Sequence, residues 1–224
     1  MCRNGRTMLF QDREDAGKKL AEALKKEFAG KNVLIYALPR GGVPVAYEVA
    51  KVLDAPLDTI VARKIGALDN PEFAVGAIAP GDVLILDEES IRAWGIGKKE
   101  LEEAITKETR EMERRVIRYD SGKYAKENTA DHILLVDDGL ATGMTALAAL
   151  ESVRIQYPGK KVVLASPICA RETSLKLRQT TPVVCVSEVD NLMAIGRWYE
   201  KFDQVSDEEV IELLQKANRE RLRQ

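Results

Sequence analysis

Short apolar runs alternate with helix-periodic segments along most of the chain, and few architectures accept that order. NVLIYAL, LDTIVAR, ILLV, KKVVLASPICA and PVVCVSEV read as strands. Between them lie segments of helical period. DREDAGKKLAEALKKEFAG puts Ala16, Leu20, Ala23, Leu24 and Phe28 on one face, with Gly30 fitting its C-terminal cap. RGGVPVAYEVAKVL turns on Gly41 and Gly42 into a helix, with Pro44 in its first turn and Ala46, Val49, Ala50 and Leu53 in register. A further helix lies near Glu172 to Arg178. SDEEVIELLQKA ends the series with a Ser206–Glu209 capping box and an apolar face of Val210, Leu213, Leu214 and Ala217. The order predicts an α/β fold: a mainly parallel, twisted sheet flanked by helices. The 224 residues suit a single domain over 1–224, and no domain-sized linker interrupts them.

One interval departs from the alternation. FAVGAIA and DVLILDE flank APGD and predict a hairpin. A long charged helix then runs from Gly97 to Tyr119, with a thin stripe of Leu101, Ala104, Ile105, Met112 and Val116. Glu103–Lys107 and Glu111–Arg115 are spaced to pair along it. The polar stretch YDSGKYAKENTAD reads as a mobile loop. Residues 88–130 are therefore expected to form a helical insertion with a flexible loop.

Composition removes several classes of function. Thirty-four bases against 36 acids give a net charge of −2, so no bulk attraction to nucleic acid or an anionic membrane is expected. The basic tail from Lys216 to Arg223 suits a solvated helix end. Cys2, Cys169 and Cys185 form no CxxC pair, and their odd number argues against a disulfide framework. With no long apolar stretch and no signal-peptide pattern, the expected setting is cytoplasmic. The single histidine, His132, rules out an HExxH zinc site, and no GxSxG elbow exists to serve it as a base. It reads as a strand-edge residue.

The chemistry concentrates in ILLVDDGLATGMTALAAL, from Ile133 to Leu150. In an open parallel sheet, ligands bind beyond the C-terminal strand ends, where Asp137 and Asp138 would stand. Two adjacent carboxylates repel unless a cation or hydroxyl groups join them. The vicinal diol of a ribose suits them, and so does magnesium, which prefers oxygen ligands and retains water. The small-residue turn GLATGMT then leads into a helix N-terminus, an anion site of N–H groups and dipole to which Thr142 and Thr145 can add hydroxyls. A ribose 5-phosphate would bridge the two. Neither GxxxxGK[ST] nor the dinucleotide fingerprint is present.

ILLVDDGLATGMT closely resembles the 5-phosphoribosyl-1-pyrophosphate (PRPP) binding motif of the type I phosphoribosyltransferases. With ALPRGGVPVA, RKIGALDNPEFAVGAI and GRWYEKFDQVSDEEV, most of the chain resembles a group of phosphoribosyltransferases whose acceptor is not established. The resemblance implies the fold of that family, with a small C-terminal hood over 187–205. It implies transfer of 5-phosphoribose from PRPP to a nitrogen-containing acceptor, a nucleobase first, with Mg²⁺ and release of pyrophosphate. A homodimer is common in the family. A non-catalytic PRPP- or nucleotide-binding regulator is the alternative.

Residue by residue, the resemblance gives Asp137 and Asp138 the ribose hydroxyls and the metal, directly or through water. It gives Ala141, Thr142, Gly143, Met144 and Thr145 the 5-phosphate. An earlier turn, often with a non-proline cis peptide, holds the pyrophosphate; PRGG stands in its place, so Arg40, Gly41 and Gly42 are candidates. Arg63 and Lys64 would join that rim. Arg118 and Lys123 are candidates for a loop that closes over PRPP. Trp198, Tyr199 and Phe202 would either stack on the acceptor as its hood or pack in the core. Some members carry an acid at the position of Ala141 as a base; this chain has none, and no general base is assigned.

Overall fold

The computed structural model describes residues 9–67, 70–125 and 130–221. Cys2, positions 126–129 of the polar stretch and Arg223 lie outside them. In chain order the elements are α1 (Arg13–Phe28), β1 (Val33–Ala37), α2 (Gly42–Leu53), β2 (Leu57–Thr59), β3 (Arg63–Ala67), β4 (Asn70–Ala79), β5 (Val83–Leu86), α3 (Glu88–Ala93), α4 (Lys98–Tyr119), β6 (His132–Val136), α5 (Met144–Gln156), β7 (Lys161–Ala170), α6 (Arg171–Arg178), β8 (Val183–Val189) and α7 (Asp207–Arg221), with a short 3₁₀ turn at Ile195–Trp198 before α7.

Five strands form the central sheet in the order β2-β1-β6-β7-β8, and every pairing is parallel. Its central strands β1 and β6 are almost wholly apolar because both faces are covered. In β1, Val33, Ile35 and Ala37 join α1, α2 and α7 in one core. Leu34 and Tyr36 join α5 in the other. In β6, Leu134 and Val136 share the first core and Ile133 and Leu135 the second. The two-residue period of a strand thus serves two helical layers at once. On α1 the buried stripe is Ala16, Gly17, Leu20, Ala21, Leu24 and Phe28. Ala23, expected on that face, is exposed.

The register pairs Ala37 with Thr59 and with Val136, and Val136 with Ala165. The C-terminal ends of β2, β1 and β6 are therefore level, while β7 continues past Ala165 to Ala170. His132 opens β6 at the opposite end, its ring edge-on to Phe28 at 5.7 Å.

LDTIVAR, expected as one strand, serves two sheets. β2 stops at Thr59, and Arg63 begins a separate antiparallel sheet, β3-β4-β5. The break follows Asp58, whose buried carboxylate accepts N–H groups from Thr59, Gly122, Tyr124 and Ala125 at 2.7–3.0 Å. Those bonds turn the backbone and tie it to the segment after α4. The expected hairpin is β4-β5. α3 and α4 pack against this small sheet through Ile65, Val75, Ile78 and Ala104, a core of its own. Among the described residues, no helix is long and apolar enough to cross a membrane.

Candidate functional site

The edge where β1 and β6 end is assembled by close backbone approach. Leu38 N donates to Val136 O at 2.8 Å, and Gly42 N to Leu38 O at 3.0 Å. The Pro39–Arg40 peptide between them is cis. A Cβ on Gly42 would lie 2.7 Å from Val136 O, and one on Gly41 only 2.0 Å from Asp138 Oδ2. The two glycines therefore let the turn lie directly on the acidic strand end. Their backbone dihedrals are ordinary; it is the missing side chain that matters.

Asp137 and Asp138 follow β6. Asp137 Oδ1 accepts Asp138 N at 2.9 Å. Asp138 Oδ2 accepts Arg13 Nε at 2.8 Å, and its backbone carbonyl accepts the Tyr199 hydroxyl at 2.7 Å. Burial, and then the neighbouring Asp138 charge, hold the Asp137 carboxyl well above the usual carboxylate range. Burial also pushes Asp138 up, while Arg13 pulls it back.

The chain then crosses to β7: Leu140 N donates to Ile168 O at 2.9 Å, and Ala170 N to Leu140 O at 2.8 Å. Thr173 Oγ1 donates to Ala141 O. Gly143 adopts a φ of 74°, a left-handed value that suits glycine. Its carbonyl accepts Leu147 N at 2.9 Å, opening α5. The first N–H groups of this 13-residue helix thus lie beside the acid pair.

These pieces enclose one cavity of about 630 Å³. Of the residues expected at the site, Asp137, Asp138, Ala141, Thr142, Gly143, Thr145, Arg40, Gly41, Lys64 and Phe202 line it. Met144 instead lines an adjoining hollow of about 600 Å³ that shares Ala74, Ala141, Thr142 and Met193 with the first. Gly42 packs beneath the turn. Arg63 is held by Glu108 of α4, with Nε at 2.9 Å and Nη2 at 2.5 Å from Oε2. It lines a separate groove along α4. Of the two cations expected on the rim, only Lys64 lines the cavity.

Tyr199 is fully buried, with ring centroids 5.2 Å from Phe10 and 4.9 Å from Phe202. Trp198 packs on the same cluster. Neither lines the cavity, whose wall at that side is Met193 to Gly196. Arg118 is held at α7, its Nε 3.1 Å from Asp207 Oδ2, and it also pairs with Glu208. Lys123 pairs with Asp120 at 3.1 Å. Asp207 additionally accepts the Tyr119 hydroxyl at 2.6 Å. It lies 3.2 Å from Arg114 and 3.7 Å from Arg40, linking the cis-peptide turn to α4.

Arg13 is the partner of the acid pair that sequence reasoning missed. It lies 125 residues from Asp138, in a run of charges typical of any helix start. No local signal distinguishes it.

A model of the phosphoribosyl transferase domain matches residues 6–209. A curated protein of Mycobacterium tuberculosis, described as a "Putative phosphoribosyl transferase", is 40% identical over 213 residues, covering 95% of this chain and 48% of that protein. The chain thus spans about half the length of the curated relatives it matches. The crystal structure of TT1426 from Thermus thermophilus is 37% identical, covers 93% of this chain and 99% of its own, and superposes with a TM-score of 0.70.

Proposed function

Because the chain belongs to the phosphoribosyl transferase domain family, we propose that it moves 5-phosphoribose from PRPP to a nitrogen-containing acceptor and releases pyrophosphate. One observation carries this reading. The acid pair, the loop leading into α5 and the Arg40–Gly41 turn open into the same cavity of about 630 Å³, a size that suits a nucleotide-like ligand.

The 5-phosphate takes the N–H groups of Thr142 to Thr145 and the two threonine hydroxyls, with the α5 dipole behind them. The ribose hydroxyls donate to Asp137 and Asp138. Arg40, Lys64 and the backbone of Gly41 face the pyrophosphate, whose charge grows as its bond to the ribose breaks. Magnesium fits the donors present, since both side chains offer oxygen and Arg13 balances only one of the two charges. Asp137 and Asp138 would hold it, directly or through water. When bound, the ion supplies positive charge to the pyrophosphate oxygens.

The acceptor, a nucleobase first, approaches along Met193–Gly196, with Trp198 and Tyr199 backing that wall through Ile195. A cytoplasmic setting and a homodimer belong to the same proposal.

Calorimetric titration of PRPP with Mg²⁺ tests the binding half; saturable binding is expected, and none in folded protein would sink the reading. Acceptor-dependent pyrophosphate release tests the transfer half. Binding without release by any nitrogen heterocycle or amine would leave a PRPP-binding regulator instead.

A further inference from the structure

Arg13 makes three contacts that converge on the cavity. Its Nε donates to Asp138 Oδ2 at 2.8 Å. Its Nη1 donates to the backbone carbonyl of Asp203 at 2.7 Å. The guanidinium carbon lies 3.7 Å from the centroid of the Phe202 ring. Both partners of the ion pair are nearly enclosed, with side-chain exposures of 12% and 11%. Such a pair is far less screened than one on the surface, and the planar fork of arginine fixes its direction.

The segment that Arg13 grips is itself anchored. Leu9 N and Phe10 N donate to Trp198 O, Glu200 N to Phe10 O and Lys201 N to Gln11 O, at 2.8–3.2 Å. Tyr199 in turn holds the Asp138 carbonyl. Asp138 is thus fixed at its backbone by the hood segment and at its carboxylate by α1.

The remaining acceptor atoms follow from this arrangement. Asp137 Oδ1 is taken by Asp138 N, and Asp138 Oδ2 by Arg13. In this arrangement Oδ2 of Asp137 and Oδ1 of Asp138 would receive the two hydroxyls of a ribose.

We propose that Arg13 is a positioning residue for the ribose: it fixes the Asp138 carboxylate so that the acid pair presents one oxygen to each hydroxyl of the diol, and it locks Phe202 and Asp203 to that carboxylate. This rests on the PRPP reading above. The role is specific to the sugar when no metal is present, because pyrophosphate without Mg²⁺ does not reach the diol acceptors.

The test compares PRPP with pyrophosphate, both titrated without Mg²⁺ into wild type and Arg13→Gln. The expected result is a loss of PRPP affinity of tenfold or more in the variant, with pyrophosphate affinity within twofold of wild type. Adding Asp138→Asn to Arg13→Gln should cost less than it costs in wild type, because the two residues act as a unit. Equal losses for both ligands would mean general damage and would overturn the proposal, as would unchanged PRPP binding. If Arg13→Gln does not fold, Arg13→Lys carries the same test, with a smaller loss still confined to PRPP. Failure of wild type to bind PRPP would instead overturn the transfer reading and this proposal with it. Wild-type binding with an indifferent Arg13 would overturn this proposal alone.

Discussion

Asp58 and the Asp137–Asp138 pair stand on the same edge of the same sheet, one at the end of β2 and the other after β6. The Asp58 carboxylate is surrounded by four backbone N–H donors of its own chain. Burial pushes its carboxyl up, and those four bonds pull it back. The acid pair receives less from the protein: the Asp138 N–H on Asp137, and the Arg13 guanidinium and its own backbone N–H on Asp138. A buried acid that its own chain satisfies is a fastener. A buried acid left with acceptor capacity beside a cavity is, on the reading proposed above, a receptor for something else. The two differ in who supplies the donors, not in residue type or position on the sheet.

The largest expected effect attacks the fastener. Asp58→Ala leaves four N–H groups without their acceptor and should destabilise the fold by at least about 3 kcal/mol, read from denaturant midpoints. A loss below about 1 kcal/mol would show that water or other acceptors replace the carboxylate and that the contrast is overdrawn. Asp138→Asn should do the reverse: a modest change in folding stability, and a loss of PRPP binding of about 1–3 kcal/mol, the size of a lost charged hydrogen bond. Unchanged PRPP affinity would remove Asp138 from the receptor class.

A smaller and more local effect is expected at Gly41. A methyl there would sit 2.0 Å from Asp138 Oδ2, so the carboxylate or the turn must shift. Gly41→Ala should weaken PRPP binding by about 1–2 kcal/mol, with the Arg13 ion pair visibly displaced in a crystal structure of the variant. Wild-type affinity would mean that the acid and the turn move independently.

Much of this contrast could be read from the sequence on one side only. The pair and its turn were legible because their chemistry is contiguous: the apolar run places Asp137 and Asp138 at a strand end, and Gly143 opens a helix directly after them. PRGG was legible for the same reason. Asp58 was not, because three of its four donors come from Gly122, Tyr124 and Ala125, across the α3–α4 insertion. Arg13 was hidden by the same separation. Arg63 looked like a rim cation until Glu108, far along α4, captured it. Tyr199 looked like a stacking surface, yet its hydroxyl and ring are spent on Asp138, Phe10 and Phe202. Asp58 and Arg13 were not singled out at all; for Arg63 and Tyr199 the residue type was noted and a distant partner decided its use.

The slightest expected effect is one of pH, and it separates receptor from fastener by sign. Glu111 is a fastener on α4: hydrogen bonds from Arg114 and then Arg115, against opposing burial, lower its carboxyl from 4.5 to about 2. A lowered folded value means stability that is present above pH 4.5 and lost as pH falls towards 2. Asp137 is shifted the other way, upward from 3.8, by burial and by Asp138. Its contribution is therefore fully present below pH 3.8 and is lost as pH rises through its raised folded value. Denaturant midpoints of wild type, Glu111→Gln and Asp137→Asn across the acid and neutral range should show the two differences from wild type sloping in opposite directions. Only the slope from Asp137 should vanish when Mg²⁺–PRPP is added, since the ligand supplies the hydroxyls and cation that the folded chain withholds. Parallel slopes would mean that Asp137 is already satisfied within the protein, which would make it a fastener like Asp58.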